Sequence, residues 1–143
     1  MDHVAIMKKS WGLTEKILTG EKKIESRWYV SRRAPWDRVK KGDIVYFKNS
    51  GESVKIRASV ENVSQFDNIN PARVRAILKK YGKADGIERE RIPEFFKRFK
   101  DKKYCVLVFL KNPKRIKEFE INKAGFGVMS AWITVSNVSK IKK

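Results

Sequence analysis

Residues 19–28 read TGEKKIESRW, and this stretch carries the strongest indication of the fold. Gly20 ends a short predicted helix, and an extended segment follows over residues 22–30. Because side chains alternate along a strand, Glu25 and Arg27 share one face of it and are close enough to pair. The stretch therefore predicts either a solvated charge run or a ligand-binding corner between a helix and a strand.

Short strands and two sets of helices are predicted around this corner. The predicted elements are a strand at 3–7, a helix at 11–19, a strand at 22–30, a hairpin at 43–63, helices at 71–81 and from 93, and strands at 103–112, 117–121 and 131–138. Ser10 and Asn70 are the predicted N-caps of the first two helices, and Pro71 and Gly82 mark the start and end of the second. This order indicates an α+β fold, a small closed or nearly closed β-barrel of five or more mostly antiparallel strands. An N-terminal helix and a helical insertion at about 71–101 complete a single predicted domain, residues 1–143.

The sequence carries a large positive charge, because 34 Lys and Arg residues against 16 Asp and Glu residues give +18. The excess is unevenly distributed along the sequence. Residues 8–41 contain 11 basic and 4 acidic residues, and residues 72–117 contain 16 basic and 5 acidic residues. The segment between them, residues 42–71, contains 3 basic and 4 acidic residues. Adaptation to heat, as in a thermophile, enriches both signs of charge and so does not explain the excess. Two basic segments therefore favour binding to a polyanion such as nucleic acid.

Several classes of protein are disfavoured by the composition. The longest apolar run, residues 104–110, is far too short to span a membrane, and the N-terminus has no apolar segment typical of a secretory signal. Cys105 is the single cysteine and His3 the single histidine, so we expect no internal disulfide, no zinc site and no histidine-based acid–base pair. A cytoplasmic protein with no metal, no cofactor and no membrane partner is the simplest prediction.

A four-residue pattern, G-x-K-x-x-E-x-R, lies in a helix–turn–strand context at Gly20, Lys22, Glu25 and Arg27. This pattern resembles the signature of the ASCH domain, a branch of the PUA-like superfamily. The stretches VKKGDIVYF, VKIRASVENVSQF and AWITVSNV look like later strands of the same family. The resemblance covers about residues 3–66 and 104–138, and the helical segment 71–101 looks like a family-variable insertion.

The resemblance implies a small PUA-like β-barrel with a cleft beside its first helix, where the family is thought to bind RNA or modified nucleosides. Some ASCH-like proteins resemble amidohydrolases that act on an acylated cytidine with a Lys, a Thr and a Glu. Lys22 matches that lysine, whereas Glu25 stands where the Thr is expected. An RNA-binding module, with tRNA, rRNA or a modified nucleoside as partner, is the leading hypothesis. The alternatives are an amidohydrolase using Glu25 and a Lys22 whose pKa is lowered by Lys23, and a protein that binds an acidic protein partner.

The candidate RNA-binding residues have three expected roles. Lys22 and Arg27 would contact an anion or a base edge, and Glu25 would orient Arg27 or accept a hydrogen bond from an exocyclic amine. Trp36 is the preferred residue for stacking a base in the same cleft, with core packing as the alternative. Phosphate contacts are expected from the paired cations Arg32, Arg33, Lys79 and Lys80. Core or cleft-wall positions are expected for Trp11 and Trp132.

Overall fold

A computed structural model of the chain describes residues 1–127 and 129–143, and this part contains six strands and three α-helices. The strands are β1 (Asp2–Met7), β2 (Ile24–Tyr29), β3 (Ile44–Asn49), β4 (Val54–Phe66), β5 (Tyr104–Phe119) and β6 (Trp132–Val135). The α-helices are α1 (Leu13–Thr19), α2 (Pro71–Tyr81) and α3 (Ile92–Phe99). Short 3-10 turns lie at Lys9–Trp11, Arg89–Arg91 and Val138–Ile141. Both α2 and α3 lie between β4 and β5 along the chain.

All six strands belong to one mixed sheet in the order β2-β5-β4-β3-β1-β6. β1 and β3 run parallel, and the other neighbouring pairs of the described strands are antiparallel. The pairing of β4 with β5 shifts register at three points between Val54 and Asn62. Such bulges bend a strand and increase its twist, so the sheet curls into a half-barrel. The predicted α+β, barrel-like fold is confirmed, with β2 and β6 as the two edges of the sheet.

Two local predictions are wrong. Gly12, not Ser10, is the N-cap of α1, because Gly12 takes a left-handed conformation at φ +63° between the first 3-10 turn and the helix. The expected separate strand at 117–121 is largely the end of β5. β4 is long enough for Val54 to pair with Phe119, so the β4–β5 ladder continues through this segment.

The ends of α2 follow the prediction. The Asn70 side-chain oxygen accepts a hydrogen bond from the Arg73 backbone N–H at 2.8 Å, and Pro71 lies in the first turn. Gly82 follows the last helical residue with a right-handed backbone (φ −55°, ψ −44°). A Cβ at this position would clash with the Leu78 backbone carbonyl oxygen and would lie 2.7 Å from Ile92 Cδ1, so the glycine is needed for the close approach of its own helix backbone and of α3 rather than for a positive φ.

Replacing Asn70 with alanine is expected to lower the free energy of unfolding by about 1 kcal/mol, because the Arg73 N–H loses its acceptor at the start of α2. Urea denaturation followed by circular dichroism measures the change. Asn70→Ser is the matched control, since serine is also a good N-cap and should retain most of the stability. Equal losses for both variants would contradict the capping role.

The hydrophobic core lies on both faces of the sheet. On one face, α1 packs against buried side chains of β1, β3, β4 and β5, among them Phe47 and Ile56. On the other face, α2 and α3 pack against β2 and β5 through residues such as Val74 and Phe95. The helices of the predicted insertion therefore lie beside the strand that carries the signature.

None of the helices in the described part of the chain is long and apolar enough to cross a membrane. The assignment of all 143 residues to a single domain stays a prediction.

Candidate functional site

A cleft of about 270 Å³ opens at the free edge of β2, between this strand, the end of β1 and α3. Aromatic rings form much of its wall. Trp28 and Phe99 are stacked, with ring centroids 4.7 Å apart and planes inclined by 7°. Trp11 and Phe95 meet edge to face at 5.4 Å. Flat apolar walls of this kind suit a planar ligand.

The floor of the cleft is polar and is organised around Lys22, which lies two residues before the start of β2. The Lys22 side chain is 1% exposed, and its ammonium group has three partners. It contacts the Asp85 carboxylate, the Asp85 backbone carbonyl at 2.6 Å and Glu25 Oε1 at 3.2 Å. These contacts engage all three protons of the ammonium group, so Lys22 acts as a structural cation between two carboxylates.

The loop after α2 places Asp85 over Lys22. The Ala84 carbonyl accepts hydrogen bonds from the backbone N–H groups of Lys23 at 2.6 Å and Ile24 at 3.0 Å, which joins the loop to the start of β2. Gly86 is left-handed at φ +79°, and a Cβ there would lie 3.1 Å from Lys22 Cβ. Glycine is therefore required by the backbone and by the close approach of the lysine stem. The second carboxylate of the site thus comes from the helical segment and not from the signature.

Glu25 and Arg27 form the ion pair predicted from their shared strand face. Glu25 Oε2 accepts hydrogen bonds from Arg27 Nε at 3.0 Å and Nη2 at 2.8 Å. The same guanidinium reaches across the open side of the half-barrel, where Nη1 donates to Ala131 O at 3.2 Å and Nη2 to Ile6 O at 3.3 Å. It also lies 5.2 Å from the centre of the Trp132 ring. β2 pairs with neither β1 nor β6, so Arg27 bridges the gap between β2 on one side and β1 and β6 on the other.

Three charged groups of the floor have shifted pKa values. Burial alone would lower the pKa of Lys22, but the negative charges of Asp85 and Glu25 outweigh it and raise this pKa. Burial alone would raise the pKa of Glu25, but the Arg27 and Lys22 cations outweigh it and lower this pKa. The pKa of Asp85 is raised, chiefly by burial and further by the Glu25 charge. Lys22 is therefore protonated, and the hypothesis that Lys23 lowers the pKa of Lys22 is wrong.

A short chain of hydrogen bonds connects the floor to the aromatic wall. The Ser26 hydroxyl donates to Asp85 Oδ2, and the Trp28 indole N–H donates to Ser26 Oγ at 3.0 Å. The orientation of the Trp28 ring is therefore coupled to the position of the Asp85 loop.

The rim of the cleft is positively charged. Lys8 Nζ lies 5.3 Å and the Arg98 guanidinium 5.0 Å from the centre of the Trp11 ring, and both side chains are exposed. The Arg91 guanidinium lies 5.0 Å from the Phe95 ring and is paired with Glu94. Cations around an apolar opening raise the local concentration of an anionic ligand.

The predicted site residues fall into two groups in the structure. One group lies together in the cleft floor: Lys22, Glu25 and Arg27. The other group does not line the cleft: Arg32, Arg33, Trp36, Lys79 and Lys80. The expected single corner that includes Trp36 is therefore not found.

Trp36 packs against the core of the half-barrel and not at the cleft. Its ring meets Tyr104 edge to face at 5.2 Å, and the Arg32 guanidinium lies over both rings at 5.7 Å and 5.5 Å. The Arg33 guanidinium lies 5.6 Å from the ring of Tyr29, which also lines the cleft. Exposed positions on the last turn of α2 are occupied by Lys79 and Lys80.

Sequence reasoning missed Asp85 and the wall-forming role of Trp28, Phe95 and Phe99. Asp85 precedes Gly86 in a turn between two helices, and no spacing rule connects that turn with the signature. The phenylalanines follow a helical apolar pattern that predicts core packing, and their contribution to a cleft depends on where α3 docks. Trp11 lies in the cleft lining as predicted.

The described chain is an α+β fold, a curled mixed half-barrel with a cleft at the free edge of β2. ASCH from Zymomonas mobilis is similar in structure, with a TM-score of 0.66 and 14% sequence identity over 99% of this chain and 96% of that one. The structure of a point mutant of that protein gives a TM-score of 0.67 at 14% sequence identity, over 97% of this chain and 93% of that one. The hypothetical protein PH0355 gives 0.53 at 21% identity, over 81% of this chain and 100% of that one.

No protein-family model matches the sequence. No curated protein matches it either. The structural similarities show that the chain has the ASCH fold.

Proposed function

We propose that this protein binds RNA and takes an unpaired base into the cleft beside β2. The observation that supports this function best is the combination of stacked aromatic walls, a polar floor and exposed cations at one opening. Each feature matches one part of a nucleotide: the walls match the base plane, the floor its polar edge and the rim its phosphate.

The size and chemistry of the cleft favour a single base over a duplex. A volume of about 270 Å³ accommodates one planar ring system with part of its ribose, whereas a paired base offers no free face for insertion. Stacking on aromatic side chains stabilises such a complex by about 1–3 kcal/mol per base. Single-stranded or loop RNA is therefore the proposed partner.

Backbone phosphates are assigned to the cations around the cleft. Lys8 and Arg98 lie at the rim, and the Arg33 guanidinium lies against the ring of Tyr29, which lines the cleft. Contacts of this type position the strand without reading its sequence. The remaining predicted phosphate contacts, from Arg32, Lys79 and Lys80, stay a proposal for a longer strand.

A double substitution of Lys8→Gln and Arg98→Gln is expected to weaken binding of a fluorescein-labelled single-stranded RNA octamer about tenfold or more at low salt. The slope of log K against log salt should also fall by about 1–2, because roughly 0.7 counterions are released per phosphate contact on a single strand. Fluorescence anisotropy over a series of salt concentrations measures both quantities.

The matched control for the rim variant replaces two exposed cations on the last part of β5, Lys114→Gln and Lys117→Gln. This control should keep the affinity within about threefold and change the slope less, since these residues lie away from the cleft lining. Equal effects in both variants, or no binding of RNA by the unmodified protein, would refute the proposed function.

The amidohydrolase reading is the second candidate, because Lys22 and Glu25 do lie in contact at the cleft floor. Two features count against it. The three ammonium protons of Lys22 are engaged, and the raised pKa of this group keeps it protonated, so it has no lone pair for attack or proton abstraction. Incubation with N-acylated cytidines distinguishes the two functions, because hydrolysis that is abolished in a Lys22→Ala variant shown by circular dichroism to be folded would favour the enzyme.

A further inference from the structure

The hydrogen-bonding capacity left open in the floor consists mainly of acceptors. The Lys22 ammonium protons are engaged, the Ser26 hydroxyl donates to Asp85, and the Trp28 indole N–H donates to Ser26. Most of the Arg27 donors are directed at protein oxygens as well. Each carboxylate oxygen can accept about two hydrogen bonds. The floor can therefore accept a hydrogen bond from a ligand far more readily than it can donate one.

Asp85 holds the larger share of this unused capacity. Among the described contacts, Asp85 Oδ1 accepts from Lys22 and Oδ2 from Ser26, so each oxygen keeps one open position. Glu25 Oε2 already accepts twice from Arg27, which leaves Glu25 one open position, on Oε1 beside Lys22. Asp85 lines the cleft, and its carboxylate is connected through Ser26 to the wall residue Trp28.

We propose that Asp85, which lies outside the G-x-K-x-x-E-x-R signature, is a specificity-determining residue that accepts a hydrogen bond from the exocyclic amino group of the bound base. This assignment rests on the proposed function, since it names which bases the cleft takes. Cytosine presents such an amino group at C4, and adenine presents one at C6. Uracil and hypoxanthine present a carbonyl oxygen at these same positions, and this oxygen would face a carboxylate with no proton between them.

The penalty for a carbonyl at this position follows from its surroundings. The floor is almost fully buried, with Asp85 at 5% and Glu25 at 4% exposure, so water has little access to bridge the two oxygens. A polar group that is left without a partner in such a place loses its hydration without compensation. Selection against a ligand that lacks the matching hydrogen bond is therefore stronger than selection by size or stacking.

The test compares oligocytidine and oligouridine octamers at pH 7.5 and low salt, because the two bases have the same ring and differ in the amino group or carbonyl at C4 and in the proton on the adjacent N3. Fluorescence anisotropy gives the ratio of their dissociation constants. The unmodified protein is expected to bind the cytidine octamer at least about tenfold more tightly. Asp85→Asn, which replaces one acceptor oxygen with an amide donor, is expected to reduce this ratio to about threefold or less.

Glu94→Gln is the matched carboxylate-to-amide control, since Glu94 is exposed and pairs with Arg91 outside the floor. It should change both affinities alike and keep their ratio. If Asp85→Asn does not fold, Ser26→Ala decides, because it frees Asp85 Oδ2 and should keep or increase the ratio. A loss of the ratio in Ser26→Ala would overturn the assignment.

Two further outcomes separate the assignment from the function on which it rests. Binding of both octamers with a ratio near one, or a ratio that Asp85→Asn leaves unchanged, would overturn the role of Asp85 and leave RNA binding intact. No binding of either octamer would overturn the proposed function and the assignment with it.

Discussion

Replacing Lys22 with methionine is expected to lower the free energy of unfolding by about 3–5 kcal/mol. The change removes the cation between Glu25 and Asp85, which are 4% and 5% exposed, and leaves their negative charges facing each other in the floor. Methionine has a similar volume, so the loss measures charge and not packing. Urea denaturation gives the value, and Lys23→Met is the matched control because Lys23 is exposed and should change stability by less than about 0.5 kcal/mol.

A second variant shows whether the loss comes from Asp85. Adding Asp85→Asn to Lys22→Met removes one of the two unpaired charges, so the double variant should be more stable than the sum of the single effects predicts. A coupling of about 1–3 kcal/mol is expected for groups in direct contact. Simple additivity, or a loss no greater than that of Lys23→Met, would show that Lys22 does not balance these carboxylates.

The pH dependence of the Lys22 contribution follows from the direction of its pKa. The folded-state pKa lies above the ordinary value of 10.5, so the unfolded chain releases the proton first as the pH rises. The stabilisation is therefore fully present below pH 10.5 and decreases as the pH rises through the higher folded-state value. The difference in stability between the unmodified protein and Lys22→Met should be constant from pH 7 to about pH 10 and then decrease.

Replacing Arg27 with lysine is expected to lower the free energy of unfolding by about 2–3 kcal/mol, although the charge is kept. A single ammonium group cannot hold Glu25 through two bonds and also reach the Ala131 and Ile6 carbonyls across the open side of the half-barrel. The effect should be local. Amide hydrogen exchange should become faster in β1, β2 and β6, which the guanidinium connects, and less so in β3.

Arg38→Lys is the matched control for this prediction, because Arg38 is exposed and its conservative replacement should change stability by less than about 0.5 kcal/mol. An Arg27→Lys protein as stable as the control, with unchanged exchange at the strand edges, would contradict the bridging role.

The elements that local sequence determines could be predicted. Strand alternation places Glu25 and Arg27 on one face, and the observed pair follows from that geometry. The cap, proline and glycine around α2 specify its ends, because each of these residues has a local conformational preference. Apolar alternation similarly identifies β4, of which only the length and the bulges were not foreseen.

The features set by tertiary docking could not be predicted. The sequence around Trp36, a loop with neighbouring cations, is the same whether the ring is exposed for stacking or packed against the protein. In the structure, Arg32 and Tyr104 cover the ring. The position of Asp85 depends on how the chain turns between α2 and α3. The buried state of Lys22 depends in turn on that loop, so a residue expected to contact a ligand is instead enclosed by protein groups.

The contact between Lys22 and Asp85 joins positions that are 63 residues apart along the chain, and this separation affects the order of folding. Contacts between distant segments form after the chain entropy of the intervening loop has been lost, so the floor of the cleft can be complete only once α2 and α3 have docked. A ligand that occupies the floor then favours the docked state over local opening of the helices. The protection of α2 and α3 against hydrogen exchange should therefore rise with ligand concentration, even though α2 supplies none of the residues that line the cleft.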